Sequence, residues 1–238
     1  MPQTLSILAT ACALVLAGQN DADSLYQARQ DLTAARRAAA IWAQTADVEY
    51  ASAWKLSRVD YWIGTHSAAL ARDSLREGIS ASETAVRLDS ARPEGHFWLA
   101  ANLSAVAQSS GPFEALKYIG RVRHELETAI AIDWSWEEGS AEAALGQWYL
   151  DVPRLLGGSR SRAQHLLDHV LSRFPENKTA LVTKARERLA SGHPEEARDL
   201  LHRVIERPGN PLWAPEDREL ERQAAEQLNA LSGTGRAR

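Results

Sequence analysis

Three groups of residues have the side chains and spacing that chemistry would require. The stretch HLLDH sets His165 and His169 one helical turn apart with Asp168 between them, formally close to the inverted zinc-protease pattern H-x-x-E-H. Asp stands where that pattern needs Glu, and zinc requires a third protein ligand that the sequence does not nominate. Leu166, Leu167 and Val170 take the apolar stripe, so His165 and Asp168 are expected to face water. The second group is GGSRSR, residues 157–162, in which paired glycines precede a helical run with Arg160 and Arg162 close behind. Backbone amides at a helix N-terminus hold phosphate in such an arrangement. The alternative is a corner: Pro153 ends one helix, the glycines turn the chain, and Ser159 caps the next. The third group is Trp54, Arg58, Tyr61 and Trp62, which places an arginine in an aromatic stripe at helical spacing. An arginine there stacks on a ring or holds a carboxylate, either Asp60 or one on the next helix; for an organic-acid ligand Arg58 would be the anchor.

Eight tryptophans in one chain is a high count, and Trp98, Trp134, Trp136 and Trp148 cluster near what read as repeat junctions. Large aromatics either pack repeats together or line a pocket for an apolar ligand. Trp98 and Asn102 lie four apart and share a helix face, so Asn102 either orients a ligand beside Trp98 or bonds a neighbouring helix. The expected ligand- or partner-binding inner face is therefore Trp54, Arg58, Tyr61, Trp62, Trp98, Asn102 and Trp148. No Ser-His-Asp context, Walker loop or dinucleotide fingerprint is present. A binding protein is expected and not an enzyme, with no catalytic residue, metal or cofactor.

The elements that must position these residues are helices. From Asp21 onward apolar residues recur three and four apart and β-branched alternation is nearly missing, which predicts an all-α chain of about ten helices. Breakers divide it at Pro93, Gly111-Pro112, Pro153, Gly157-Gly158, Pro175, Gly192 with Pro194, and Pro208 to Pro215. ETAVRLDSARPEG, residues 83–95, aligns with ETAIAIDWSWEEG, residues 127–139, and Asp89 and Asp133 lie 44 positions apart. Looser copies follow in HVLSRFPENKTALVTKARERL and from LLHRVIERPGNPLW. A recurring helix–turn–helix unit of this size is the mark of tetratricopeptide-like repeats, which stack because no single pair buries its apolar face alone. The expected architecture is a right-handed superhelical array of such pairs over residues 19–231, followed by a disordered tail at 232–238.

The net charge of -4 and pI near 6 leave no basic footprint for nucleic acid. Residues 1–20 carry no Lys, Arg, Asp or Glu, and the apolar run Leu5 to Ala17 matches the core of a secretory signal. This predicts a signal peptide over residues 1–18, cleavage before Gly18 and a periplasmic or exported protein. Lipid anchoring through Cys12, the sole cysteine, is the less favoured alternative, because Ala9-Thr10-Ala11 lacks the usual leucine.

PEGHFWLAANL (93–103), ELETAIAID (125–133), LGQWYLDVPRLLGGSRSRAQHLLDHVL (145–171) and GHPEEARDLL (192–201) resemble the bacterial TatT family, exported TPR-like proteins associated with tripartite TRAP-type transport. The similarity covers roughly residues 50–228 and rests on GHFW after the first repeat and on the GG turn after the second. Eukaryotic regulators of microtubule dynamics look distantly similar, with the same long helix pairs, although a secretory leader argues against that setting. The TatT resemblance implies a helical scaffold that partners a periplasmic solute-binding subunit and handles a small, hydrophobic solute, with no catalysis. A homo-oligomer is compatible with it. The alternative is a periplasmic protein–protein adaptor that uses its concave face and binds no small ligand.

Overall fold

A computed structural model describes residues 20–234, all of whose regular elements are helices. The expected leader, its cleavage point, Cys12 and residues 235–238 lie outside the described residues. The chain divides into two compact units, one ending at Val122 and the other starting at Arg123. The first holds α1 (20–27), α2 (Leu32–Trp42), α3 (Tyr50–His66), α4 (Ala71–Leu88) and α5 (Pro93–Ser109). Helix α6 (Pro112–Ile132) runs across the boundary. The second unit continues with α7 (Ser140–Asp151), α8 (Arg160–Arg173), α9 (Lys178–Ala190), α10 (Pro194–Glu206) and α11 (Ala214–Thr234). Since α11 is described to Thr234, its end lies inside the stretch expected as a tail.

Most boundaries have local causes. Asp31 accepts from the Thr33 amide at the start of α2, Ser159 from the Arg162 amide at α8, and Asn177 from the Ala180 amide at α9. Pro93 and Pro194 stand in the first turns of α5 and α10, where a missing N–H costs no intrahelical bond. From α2 to α5 and from α7 to α11 each helix packs on the next through a short link, so each unit contains a run of helix pairs. The first unit closes around Tyr26, Ala35, Ala38, Trp42, Val59, Trp62 and Ile63. The second closes around Leu181, Ala185, Leu201 and Val204, with Leu167 and Val170 packed on Ala143 and Ala180. Alanine at so many buried positions lets helix axes approach closely. Gly78 on α4 is one such close approach, where a Cβ would meet Asn102 Oδ1 at 2.3 Å.

The two aligned junctions differ in one respect. Pro93 opens α5 with its φ locked in the helical range, whereas its counterpart Glu137 has φ 46°. Glu138 (φ 58°) and Gly139 (φ 77°) follow in the left-handed region, and α7 starts only after Gly139, although Gly95 lies inside α5. Without the ring at the aligned position, the chain swings through three left-handed residues before the helix begins.

Candidate functional site

Six of the seven residues expected to bind a ligand lie in the first unit. Arg58 is half-buried on α3, its guanidinium carbon 3.8 Å from the Tyr26 ring centroid and 4.8 Å from that of Trp54. Arg29, fully buried, lies 4.2 Å from the same Tyr26 ring and 5.2 Å from Trp62, and donates to the Tyr26 carbonyl. Trp62 donates its indole N–H to the Arg29 carbonyl at 2.7 Å and stacks on His66. The stripe on α3 is therefore one wall of an interleaved cation and aromatic stack whose other wall comes from α1 and α2. Sequence reasoning missed Tyr26, Arg29 and Trp42; the four-residue spacing of Ala22 and Tyr26 was the available signal, but α1 was too short to stand out.

Asn102 is fully buried on α5 and donates through Nδ2 to the Ser57 carbonyl (3.2 Å), the Ser57 hydroxyl (3.0 Å) and the Trp98 carbonyl (2.9 Å). It ties α5 to α3 while its Oδ1 fills the notch left by Gly78 on α4. The Trp98 ring lies 5.7 Å from Tyr61, a tilted aromatic contact across the same two helices. Trp148 belongs to the second unit, where it meets Tyr149 edge-on at 5.1 Å and carries Arg123 5.8 Å above its ring. The aromatic, Arg and Asn groups thus make helix-to-helix contacts.

Asp60, offered as a partner for Arg58, is buried on α3, and its pKa is raised to about 8 by burial and then by the charge of Glu77. Two residues apart on a helix, Asp60 and Arg58 project in different directions. A carboxyl in that environment holds its proton at neutral pH and is not the counter-ion of Arg58.

At each repeat junction the residues just before the Gly accept hydrogen bonds from elsewhere in their unit. Glu94 accepts from the Tyr50 hydroxyl at 3.0 Å and pairs with Arg92 at 2.8 Å, while burial and Glu94 push the Tyr50 phenol up. In the second unit the Glu138 carbonyl accepts from Asn177 at 2.9 Å, and the Glu137 carboxylate accepts from the Trp213 indole at 2.9 Å. In HLLDH, His169 meets the buried Glu142 at 2.7 Å and Asp168 pairs with Lys184. Among the described residues no group of three or more His, Cys, Asp or Glu side chains is arranged to hold a metal.

One open groove, about 340 Å³, runs between α10 and α11. Arg198, His202 and Ile205 line it from α10 at i, i+4 and i+7, and Ala225, Leu228, Asn229 and Ser232 from α11 at i, i+3, i+4 and i+7. Its lining mixes apolar Ile205, which is 41% exposed, Ala225 and Leu228 with polar Arg198, His202, Asn229 and Ser232. Each wall is a continuous helix face. Helix α11 packs on α10 and α9.

Residues 19–171 match the family model described as "Regulator of microtubule dynamics protein 1-3", and residues 156–214 match a tetratricopeptide repeat model. No curated protein matches the chain. Among solved structures it is similar to a thermophilic TPR protein of Thermus thermophilus, with a TM-score of 0.66 at 16% identity, over 88% of this chain and 98% of that one. Two crystal structures of MamA have a TM-score of 0.51, at 15% and 17% identity, over 83% and 81% of this chain and 95% and 90% of theirs. At these identities the likeness shows a TPR-like fold.

Proposed function

This chain belongs to the regulator of microtubule dynamics protein 1-3 family, and we propose that it is a helical-repeat adaptor seating an amphipathic helix of a protein partner. The groove between α10 and α11 carries the reading, because two continuous helix faces with Ile205, Ala225 and Leu228 along them make a trough that an amphipathic helix fills. The occupant would lie with its apolar side chains over Ile205, Ala225 and Leu228. The Asn102 Nδ2 and Trp62 indole N–H groups and the Arg58 cation face are engaged between helices, which favours this reading over a small-molecule site. The test is a photo-reactive residue placed at Ile205 in the full chain in its producing cells, with one at exposed Arg36 as control. A discrete protein adduct at position 205 alone is expected; adducts of equal yield at both positions would overturn the proposal.

The TRAP-type reading is a second proposal, in which the partner is a periplasmic solute-binding subunit and a hydrophobic solute is carried. The leader-like run Leu5 to Ala17 supports it. Sequencing the mature N-terminus tests the exported setting: a start at Gly18 supports it, and an intact Met1 overturns it. The family description points to a different setting, microtubule regulation. Co-sedimentation of the full chain with microtubules tests that one: a pelleted fraction supports it, and a fully soluble chain overturns it.

A further inference from the structure

The corner between α7 and α8 is more than a turn. Pro153 to Ser159 is closed by its own backbone: the Leu156 amide donates to the Pro153 carbonyl at 2.8 Å, Gly157 to Arg154 at 3.1 Å and Gly158 to Pro153 at 3.2 Å. The Ser159 amide then returns to the Tyr149 carbonyl at 2.9 Å. Gly157 has φ 105°, and a Cβ on Gly158 would lie 1.7 Å from the Val152 carbonyl oxygen, so the geometry is locked. This locked turn holds Leu155 98% exposed and Leu156 43% exposed. Exposed leucine on a mobile loop needs no explanation, but two adjacent leucines held outward by a rigid turn are a feature of the surface.

The charges beside them are mostly positive. Arg154 and Arg160 are exposed and have no ion pair among the described residues. Arg162, also exposed, donates to the Tyr149 hydroxyl, and Arg123 lies beside Gly157 with Glu127 as its partner. The nearest carboxylate along the chain, Asp151, is engaged by Arg186 at 3.0 Å. An apolar apex flanked by unpaired guanidinium groups matches the boundary of an anionic lipid leaflet, where acyl chains lie just beneath phosphates. A protein groove would also cover the leucines, and a vesicle test separates the two.

We propose that the Pro153–Ser159 turn is a membrane-contacting tip, inserting Leu155 and Leu156 below the headgroups of an anionic lipid surface while Arg154 and Arg160 engage the phosphates. The test is co-sedimentation of the full chain with vesicles of phosphatidylcholine alone or mixed with phosphatidylglycerol. The wild-type chain is expected to favour the mixed vesicles, since each basic residue near an anionic surface raises partition about fivefold. Leu155→Ser with Leu156→Ser is expected to lower that partition by at least about tenfold at unchanged helicity. Leu155→Ser alone, at a side chain with almost no contacts inside the chain, should lower it in the same direction, and Arg154→Glu with Arg160→Glu should abolish the preference for phosphatidylglycerol. Because Leu5 to Ala17 is present in every variant, the differences report on the tip. Equal partition of wild-type and leucine variants would overturn the proposal, as would equal wild-type binding to both vesicles. So would loss of a protein partner in the leucine variant with vesicle binding intact.

Discussion

Replacing Asp60 with Asn tests the reading of the first unit at its least expected residue. The Asp60 carboxyl is 2% exposed, its Oδ2 has no hydrogen-bond partner among the described residues, and its pKa is raised to about 8 from 3.8. Between these values the unfolded chain has given up the proton while the folded chain keeps it. Stability from this group is therefore fully present below about pH 4 and declines as pH rises toward 8. At 1.36 kcal/mol per unit, the decline by pH 7 amounts to about 4 kcal/mol. Asn is nearly isosteric and never ionises, so it removes the decline; its extra N–H needs an acceptor, which costs about 1 kcal/mol. Asp60→Asn is thus expected to stabilise the protein by about 2–3 kcal/mol at pH 7 and by little at pH 4. Urea unfolding of wild type and variant across pH 4 to 8, followed by circular dichroism, measures the difference directly. A variant whose advantage does not grow with pH, or one less stable than wild type at pH 8, would refute the reasoning.

Further outcomes follow from the same contacts. Gly158→Ala is expected to cost about 3 kcal/mol or more in urea unfolding, because its Cβ would overlap the Val152 carbonyl and the backbone must move. Asn102→Ala removes three hydrogen bonds that tie α5 to α3 and should cost about 2–3 kcal/mol, read as a lower midpoint in the same titration. Glu138→Gly should stabilise by about 0.5–1 kcal/mol, since a left-handed φ of 58° suits glycine and the side chain makes only a 3.3 Å bond from Asn210; thermal melts check it.

The all-helical, TPR-like fold was legible because the 3.6-residue period is continuous and the breakers fall between apolar stripes. Ser159 at the start of α8 and Pro153 just beyond α7 were readable for the same reason: caps and breakers act locally. What the sequence withheld is long-range. Arg58 stacks on Tyr26, 32 positions away, and Asn102 reaches Ser57, 45 positions away, so which face of α3 meets which neighbour depends on packing. The left-handed Glu137 and Glu138 were hidden because neither residue type marks that conformation; the missing counterpart of Pro93 was the only clue. The groove on α10 and α11 escaped notice since each helix looks ordinary alone and the site exists only in their pairing.

The central claim is that the α10–α11 groove seats a partner helix, and the affinity of the cross-linked partner for an Ile205→Glu variant tests it most directly. A carboxylate in place of exposed Ile205 in an otherwise unchanged fold is predicted to weaken binding by about tenfold or more, from the loss of one apolar side chain's burial alone. An affinity equal to that of the wild-type chain would contradict the account.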